Sequence, residues 1–324
     1  MLDKHVAVPR RNLLSPFNFL FSIFPLVIPD LPPSFQQLYK ESGPLLRFRI
    51  LRDVLGRDES WIETISAQAA VLKHPRIVKL ASEQLPNGSF GDRLSHTAAA
   101  VLWMCEAGAE DHGAVKRALD FVVLPTLAQE NVTWELQANQ RTLVRDVCLH
   151  LLARATRGTH PLLEAYLEVV KLEWQHWFSN KKSPAPTVPA YNAMVWWQPN
   201  VNEVLNKRAL LTKLLNEVET QPEVLLPENT RFTIPDKDNY LAAPVRMLYD
   251  LEYGARAGVV GDVPHLQWLY EELEVQQDAD GMWHFDIEEI PAHLAWYYPL
   301  EENAQDRELT VRALMIYKLL NYDV

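Results

Sequence analysis

Two short stretches decide how this chain folds: Gln84-Leu-Pro-Asn-Gly-Ser-Phe90 and Gln277-Asp-Ala-Asp-Gly-Met-Trp283. Each follows a run of helical spacing, and each sets a Gly after the Gln and an aromatic two residues after the Gly. Where a helix ends and the chain reverses, a left-handed residue is wanted, and Gly takes it without steric cost. The Gln amide suits the backbone groups left unsatisfied at a helix end, and the aromatic suits packing on a neighbouring hairpin.

Working outward, helix openings are expected at Ser95-His96-Thr97, Arg145-Asp146, Pro189-Ala190-Tyr191, Pro235 to Asn239 and Asp306-Arg307-Glu308. The first four recur at about 45–50 residues, the spacing of a repeated helical hairpin. Each precedes an apolar run, such as Val101-Leu102-Trp103-Met104 or Val195-Trp196-Trp197. Segments 161–178 and 265–273 read as outer partners of these inner helices. Residues 34–83 read as two or three amphipathic helices, broken at Gly43-Pro44 and restarted at His74-Pro75. The polar, proline-rich stretch 179–186 reads as an exposed connection inside one domain of residues 34–324.

Composition agrees with an all-α fold. The 324 residues are 48% hydrophobic and 23% charged with only 11 Gly, and alternating β-branched runs are scarce. The net charge of −11 makes a phosphate-tracking face and a nucleic-acid partner poor expectations. Cys105 and Cys148 offer no disulfide framework, so a reducing, cytoplasmic setting is the simpler reading. Residues 1–33 form a separate arm. Its apolar part, 13–31, resembles a signal peptide's apolar region but is interrupted by Pro16, Pro25 and Pro29 and has no small-residue cleavage site. Packing on the protein's own surface, peripheral membrane contact and a targeting role remain open for it.

The glutamine turns with their hairpins resemble the repeats of squalene cyclases, class II terpene cyclases and protein prenyltransferase β-subunits, over roughly residues 70–320. The resemblance implies an α/α toroid whose inner helices line a central cavity. Pro235-Asp236-Lys237-Asp238-Asn239-Tyr240 is similar to the acidic helix opening of the cyclases. By that alignment Asp238 is the acid that protonates an isoprenoid, with Asp236 its companion and Asn239 where the family has a third carboxylate. Such an acid must be kept neutral by burial and a nearby like charge, and the resulting cation needs aromatic walls. Trp103, Tyr191, Trp196, Trp197, Tyr240 and Trp296 are the expected walls, with Arg246 as an anion partner and His96 as a cavity acid or base. Helix capping by Asp236 and Asp238 is the competing reading.

Other readings stay open. Asp146 and Cys148, beside His150, resemble prenyltransferase zinc ligands, with His265, His284 or His293 as the third. That set is incomplete, and residues two apart on a helix do not face one way; no metal or cofactor is expected. Arg141 and Arg145 are further anion partners or surface ion-pair residues. Asp286, Glu288, Glu289, Glu301, Glu302 and Asp306 form an acidic cluster, read as a solvated face or a carboxylate pair of the glycosidase kind. The function expected is binding of an apolar, isoprenoid-like molecule with protonation-initiated cyclisation. The alternatives are a non-catalytic toroid holding a lipid-like ligand or a protein partner, or a zinc-dependent transferase. One domain is short for the cyclase reaction, whose cavity lies between two, so a partner, a homodimer or a smaller substrate would be needed.

Overall fold

The computed structural model describes residues 33–57, 59–128, 138–220, 244–279, 281–285 and 299–321. Among these there are helices and one isolated bridge, Gln277 with Trp283, but no strand. The expected helix opening at 235–239 and the arm 1–32 lie outside the described residues.

In chain order the helices are α1 (Pro33–Glu41), α2 (Pro44–Arg49, running on as a π turn Ile50–Val54), α3 (Ile62–Leu72), α4 (Pro75–Glu83), α5 (Leu94–Glu106), α6 (Gly113–Ala118, running on as a π turn Leu119–Val123), α7 (Leu124–Ala128), α8 (Ala138–Ala155), α9 (Pro161–Ser179), α10 (Val188–Trp196), α11 (Val201–Thr220), α12 (Pro244–Ala257), α13 (Pro264–Val275) and α14 (Gln305–Asn321). Residues 34–83 therefore hold four helices rather than two or three. Arg145-Asp146 lies in the middle of α8 rather than at a helix opening. The continuous apolar stripe from Val144 to Leu152 carries the helix through it, and the Asp146 carboxylate is taken up by Arg145 and Thr187 instead of by its own backbone.

Proline opens many of these helices, because the first turn has no backbone acceptor for the missing N–H. Three outer helices share a further device. The Nδ1 atoms of His74, His112 and His160 accept the backbone N–H two residues on, at 3.3, 3.1 and 3.3 Å. An accepting Nδ1 carries no proton, so each cap requires a neutral imidazole.

The two glutamine turns are built alike. Gln84 Nε2 donates to the Gly88 carbonyl at 2.9 Å, and Gln277 Nε2 to that of Gly281 at 3.2 Å. Gly88 has φ +81° and Gly281 φ +77°, conformations a side chain would strain. Gln84 also reaches the next hairpin, donating to Ala114 O at 2.7 Å and accepting from Arg117. Phe90 and Trp283 are buried, and Trp283 Nε1 donates to Leu273 O at 2.8 Å, closing its turn on α13.

One series of helices meets in chain order. α5 packs on α8, α8 on α10, α10 on α12, α12 on α14, and α14 returns to α2 and its π turn. Outside them lie α3 on α2, α6 on α5, α9 on α8 and α13 on α12. The first and last parts of the chain are tied by residues 299–301. Glu301 caps α2, its Oε2 accepting from Gly43 N at 2.9 Å and its Oε1 from Leu45 N at 2.8 Å. The acidic cluster expected around Glu301 is thus in part a helix cap rather than a solvated face.

Where α2, α5, α8, α12 and α14 converge, the interior is ionic. Arg312, with no exposed surface, is bound by Glu106 of α5 and Glu252 of α12 and by the Tyr249 hydroxyl at 2.7 Å. Arg49 reaches Glu106 at 2.6 Å and Asp53 at 3.1 Å. Arg52 and Arg154 both reach Glu110 at 3.2 Å, and Arg256 holds Glu252 at 2.8 Å. Burial alone would raise these carboxyls. The guanidiniums of Arg49, Arg312 and Arg154 nevertheless hold Glu106 well below the usual carboxylate range, and Arg52 and Arg49 do so for Asp53. Removing one partner of such a set strands the others in a dry interior. Arg312→Met is expected to cost about 3–5 kcal/mol of stability in urea unfolding followed by circular dichroism, far more than an exposed pair such as Lys79–Glu83.

Candidate functional site

α4 and α5 are the arms of the first glutamine hairpin, and a cleft of about 450 Å3 opens between them, within the usual range for small-molecule sites. Its walls follow from helical spacing. Arg76, Leu80 and Glu83 stand at i, i+4 and i+7 of α4, and His96, Ala99, Ala100 and Trp103 at i, i+3, i+4 and i+7 of α5. Phe90 and Gly91 of the turn complete the lining. Two alanines facing a helix with larger side chains leave the space that larger residues would fill.

Trp103 is 1% exposed, and its indole Nε1 has no hydrogen-bond partner among the described residues. Buried indoles ordinarily find one. The Arg76 guanidinium lies over the ring, 4.1 Å from its centroid. Glu83 faces Lys79 at 3.9 Å, and His96 Nδ1 faces Asp92 at 3.4 Å. Arg76 is the charged side chain of this lining without a carboxylate within salt-bridge distance among the described residues. It makes a single hydrogen bond there, Nη1 to Pro299 O at 3.0 Å.

Beside this wall sits Glu308, fully buried on α14. Its Oε2 accepts from Leu300 N at 2.7 Å, while Oε1 has no partner among the described residues. Burial raises this carboxyl to about 7, against the opposing charges of Arg312 and Arg49 and with a smaller push from Glu106.

Of the residues expected from the sequence, the structure brings His96 and Trp103 together in the cleft. Tyr191, Trp196, Trp197 and Arg246 lie elsewhere. Tyr191 packs on Tyr253 with ring centroids 6.4 Å apart. Trp196 carries the guanidiniums of Arg154 and Arg256 over its ring, at 4.3 and 4.2 Å. Trp197 is buried beneath Lys171, and Arg246 faces Asp250 at 3.5 Å. Asp236, Asp238, Asn239, Tyr240 and Trp296 lie outside the described residues, as do Asp286, Glu288, Glu289 and His293.

The zinc set does not converge. Asp146 is held by Arg145 and by Thr187 Oγ1 at 2.7 Å. Cys148 is buried, and burial pushes its thiol up to about 12. Burial and Arg154 push His150 down to about 3, and its Nε2 lies 3.5 Å from the Tyr253 hydroxyl. Among the described residues no three His, Cys, Asp or Glu side chains form a metal-holding group, and no helix is long and apolar enough to cross a membrane.

Sequence reasoning missed Arg76, Glu83 and Glu308. The i, i+4, i+7 spacing from Arg76 to Glu83 was the available signal for the first two. Compared with protein-family models, curated proteins and solved structures, the chain matches none.

The raised Glu308 has a consequence for stability. A carboxyl whose folded pKa lies above its unfolded one favours the folded state at low pH. That contribution is lost as pH rises from about 4.3, the unfolded value, through about 7. In urea unfolding at a series of pH values, Glu308→Gln is expected to gain steadily on the wild type across that window, with no further gain above it. A constant difference from about pH 4 to 8 would contradict the assignment.

Proposed function

We propose that this protein is an α/α ring of toroid type that binds an apolar small molecule in the cleft between α4 and α5. The packing order from α5 round to α14 and back to α2 supports the ring. The carrying observation for the site is Trp103, a buried indole with an unpartnered N–H, standing with Phe90 and Leu80 in a cleft kept open by Ala99 and Ala100.

A hydrocarbon bound where the inner helices converge would have to displace the ion set around Arg312 and Glu106, at the cost of stranding buried charges. The cleft is lined by none of those ion-set residues, and Leu80, Phe90, Ala99, Ala100 and Trp103 give it apolar walls. An isoprenoid chain or another lipid-like molecule fits that chemistry. The cyclase reading adds catalysis by Asp238 to such binding; the cleft itself needs no help from Asp238.

Solvent extraction of the purified protein followed by mass spectrometry tests the reading. One apolar compound is expected in near-stoichiometric amount, retained in Asp238→Asn and lost in Ala99→Trp, which fills the cleft. Retention in folded Ala99→Trp would place the ligand elsewhere, and turnover lost in Asp238→Asn would establish the cyclase.

A further inference from the structure

One peptide unit separates Arg76 from Glu308. The carbonyl of Pro299 accepts from Arg76 Nη1 at 3.0 Å, and the N–H of the same unit, on Leu300, donates to Glu308 Oε2 at 2.7 Å. On one face of this peptide is the cation of the cleft lining. On the other is a carboxyl with no exposed surface and one unpartnered oxygen. Hydrogen bonds in series polarise one another. An ionised Glu308 strengthens the Pro299 carbonyl as an acceptor and holds Arg76 to the wall. A protonated Glu308 weakens that hold.

Charged groups face Glu308 from each neighbouring helix: Arg312 one turn along α14, Arg49 from α2, Glu106 from α5 and Arg76 from α4. Glu302 also acts on Arg76. Arg49 and Arg312 are committed to Glu106, Asp53 and Glu252. Among the described residues of the lining, Arg76 is left as the cation able to take an incoming anion. Such an anion and an ionised Glu308 would stand on opposite sides of one guanidinium and one peptide, each disfavouring the other.

Resting on the reading of the cleft as a binding site, we infer that its ligand is amphipathic, that its anionic head group seats on Arg76, and that Glu308 takes up a proton when it binds. Carboxylate and phosphate heads share the required chemistry. The apolar tail lies on Leu80, Phe90 and Trp103.

Calorimetry of the full chain with dodecanoate and with dodecanol is the test. Dodecanoate affinity is expected to fall roughly threefold to tenfold between about pH 6 and 8, the span set by one linked proton. Titrations in buffers of different ionisation enthalpy should show net proton uptake. Dodecanol, with no charge, should show neither. Glu308→Gln should abolish the pH dependence, whereas His96→Asn, at the imidazole of the lining, should keep it. Arg76→Gln should weaken dodecanoate at least tenfold and leave dodecanol within about twofold, since one charge-assisted hydrogen bond separates the two ligands. Should Glu308→Gln not fold, proton uptake by the wild type decides the matter. Dodecanol binding without dodecanoate binding overturns the inference and leaves the cleft reading intact, as does a pH dependence that survives Glu308→Gln. Binding of neither ligand overturns both.

Discussion

The guanidinium of Arg312 is the constraint on which the arrangement depends. It has no exposed surface, and its three partners come from two other helices: Glu106 on α5, and Glu252 and Tyr249 one turn apart on α12. Apolar contacts between helices tolerate sliding, because a methyl group displaced by an ångström finds another methyl. A buried ion pair does not, since the desolvation of each charge is offset only while its partner is in place. Helices α2, α5, α8, α12 and α14 are therefore fixed in register by charges that come from residues 49 to 312 of the chain. The hydrophobic residues around them supply the driving force, and the ionic set chooses the packing.

That choice decides where a ligand can go. A ring of helices with small apolar side chains inside would offer a central cavity. Here the buried interior between α2, α5, α8, α12 and α14 is spent on guanidinium–carboxylate contacts, and Trp196 is covered on its ring by Arg154 and Arg256. Among the described residues a cleft opens within a single hairpin, lined by Leu80, Ala99 and Ala100 among others. The same turn that reverses the chain, with Gly88 in the left-handed region and Gln84 bonded across to Ala114, holds the two walls apart. Fold and site are linked through that glutamine.

The sequence showed what is local. The glutamine turns were legible because their chemistry is contained within seven residues, and the proline helix starts because Pro restricts its own backbone. His96 and Trp103, both expected as cavity residues, line the cleft together from one helix face seven residues apart. The repeated histidine caps at His74, His112 and His160 went unread because His ranks low among capping residues. The ionic interior was harder still. Glu106 follows Trp103-Met104-Cys105, and Arg312 sits between Val311 and Ala313, so each interrupts an apolar run. A charge inside an apolar run announces that something is buried, but its partner lies 206 residues away on another helix. Tyr191, Trp196 and Trp197 do not line this cleft; aromatic identity is local, whereas the neighbour that covers a ring is not.

Glu308 is where the interior and the cleft meet. The buried set holds the guanidiniums of Arg49, Arg52, Arg154, Arg256 and Arg312 against the carboxylates of Asp53, Glu106, Glu110 and Glu252. It is one negative charge short. An ionised Glu308 supplies that charge, which is why Arg312 and Arg49 draw it down. Its own burial and the nearby Glu106 push it up to about 7. Burial outweighs the two guanidiniums and leaves the group near neutrality, so a modest change in the field outside can tip the proton on or off. The Pro299–Leu300 peptide and Arg76 are the route by which such a change in the cleft reaches it. A carboxyl held between two guanidiniums, like Asp53 between Arg49 and Arg52, has no such freedom, because no change at the surface could match two adjacent cations. Sensitivity of this kind requires a balance set at the centre of the molecule and a single polar contact leading out of it, and the described residues provide both at Glu308.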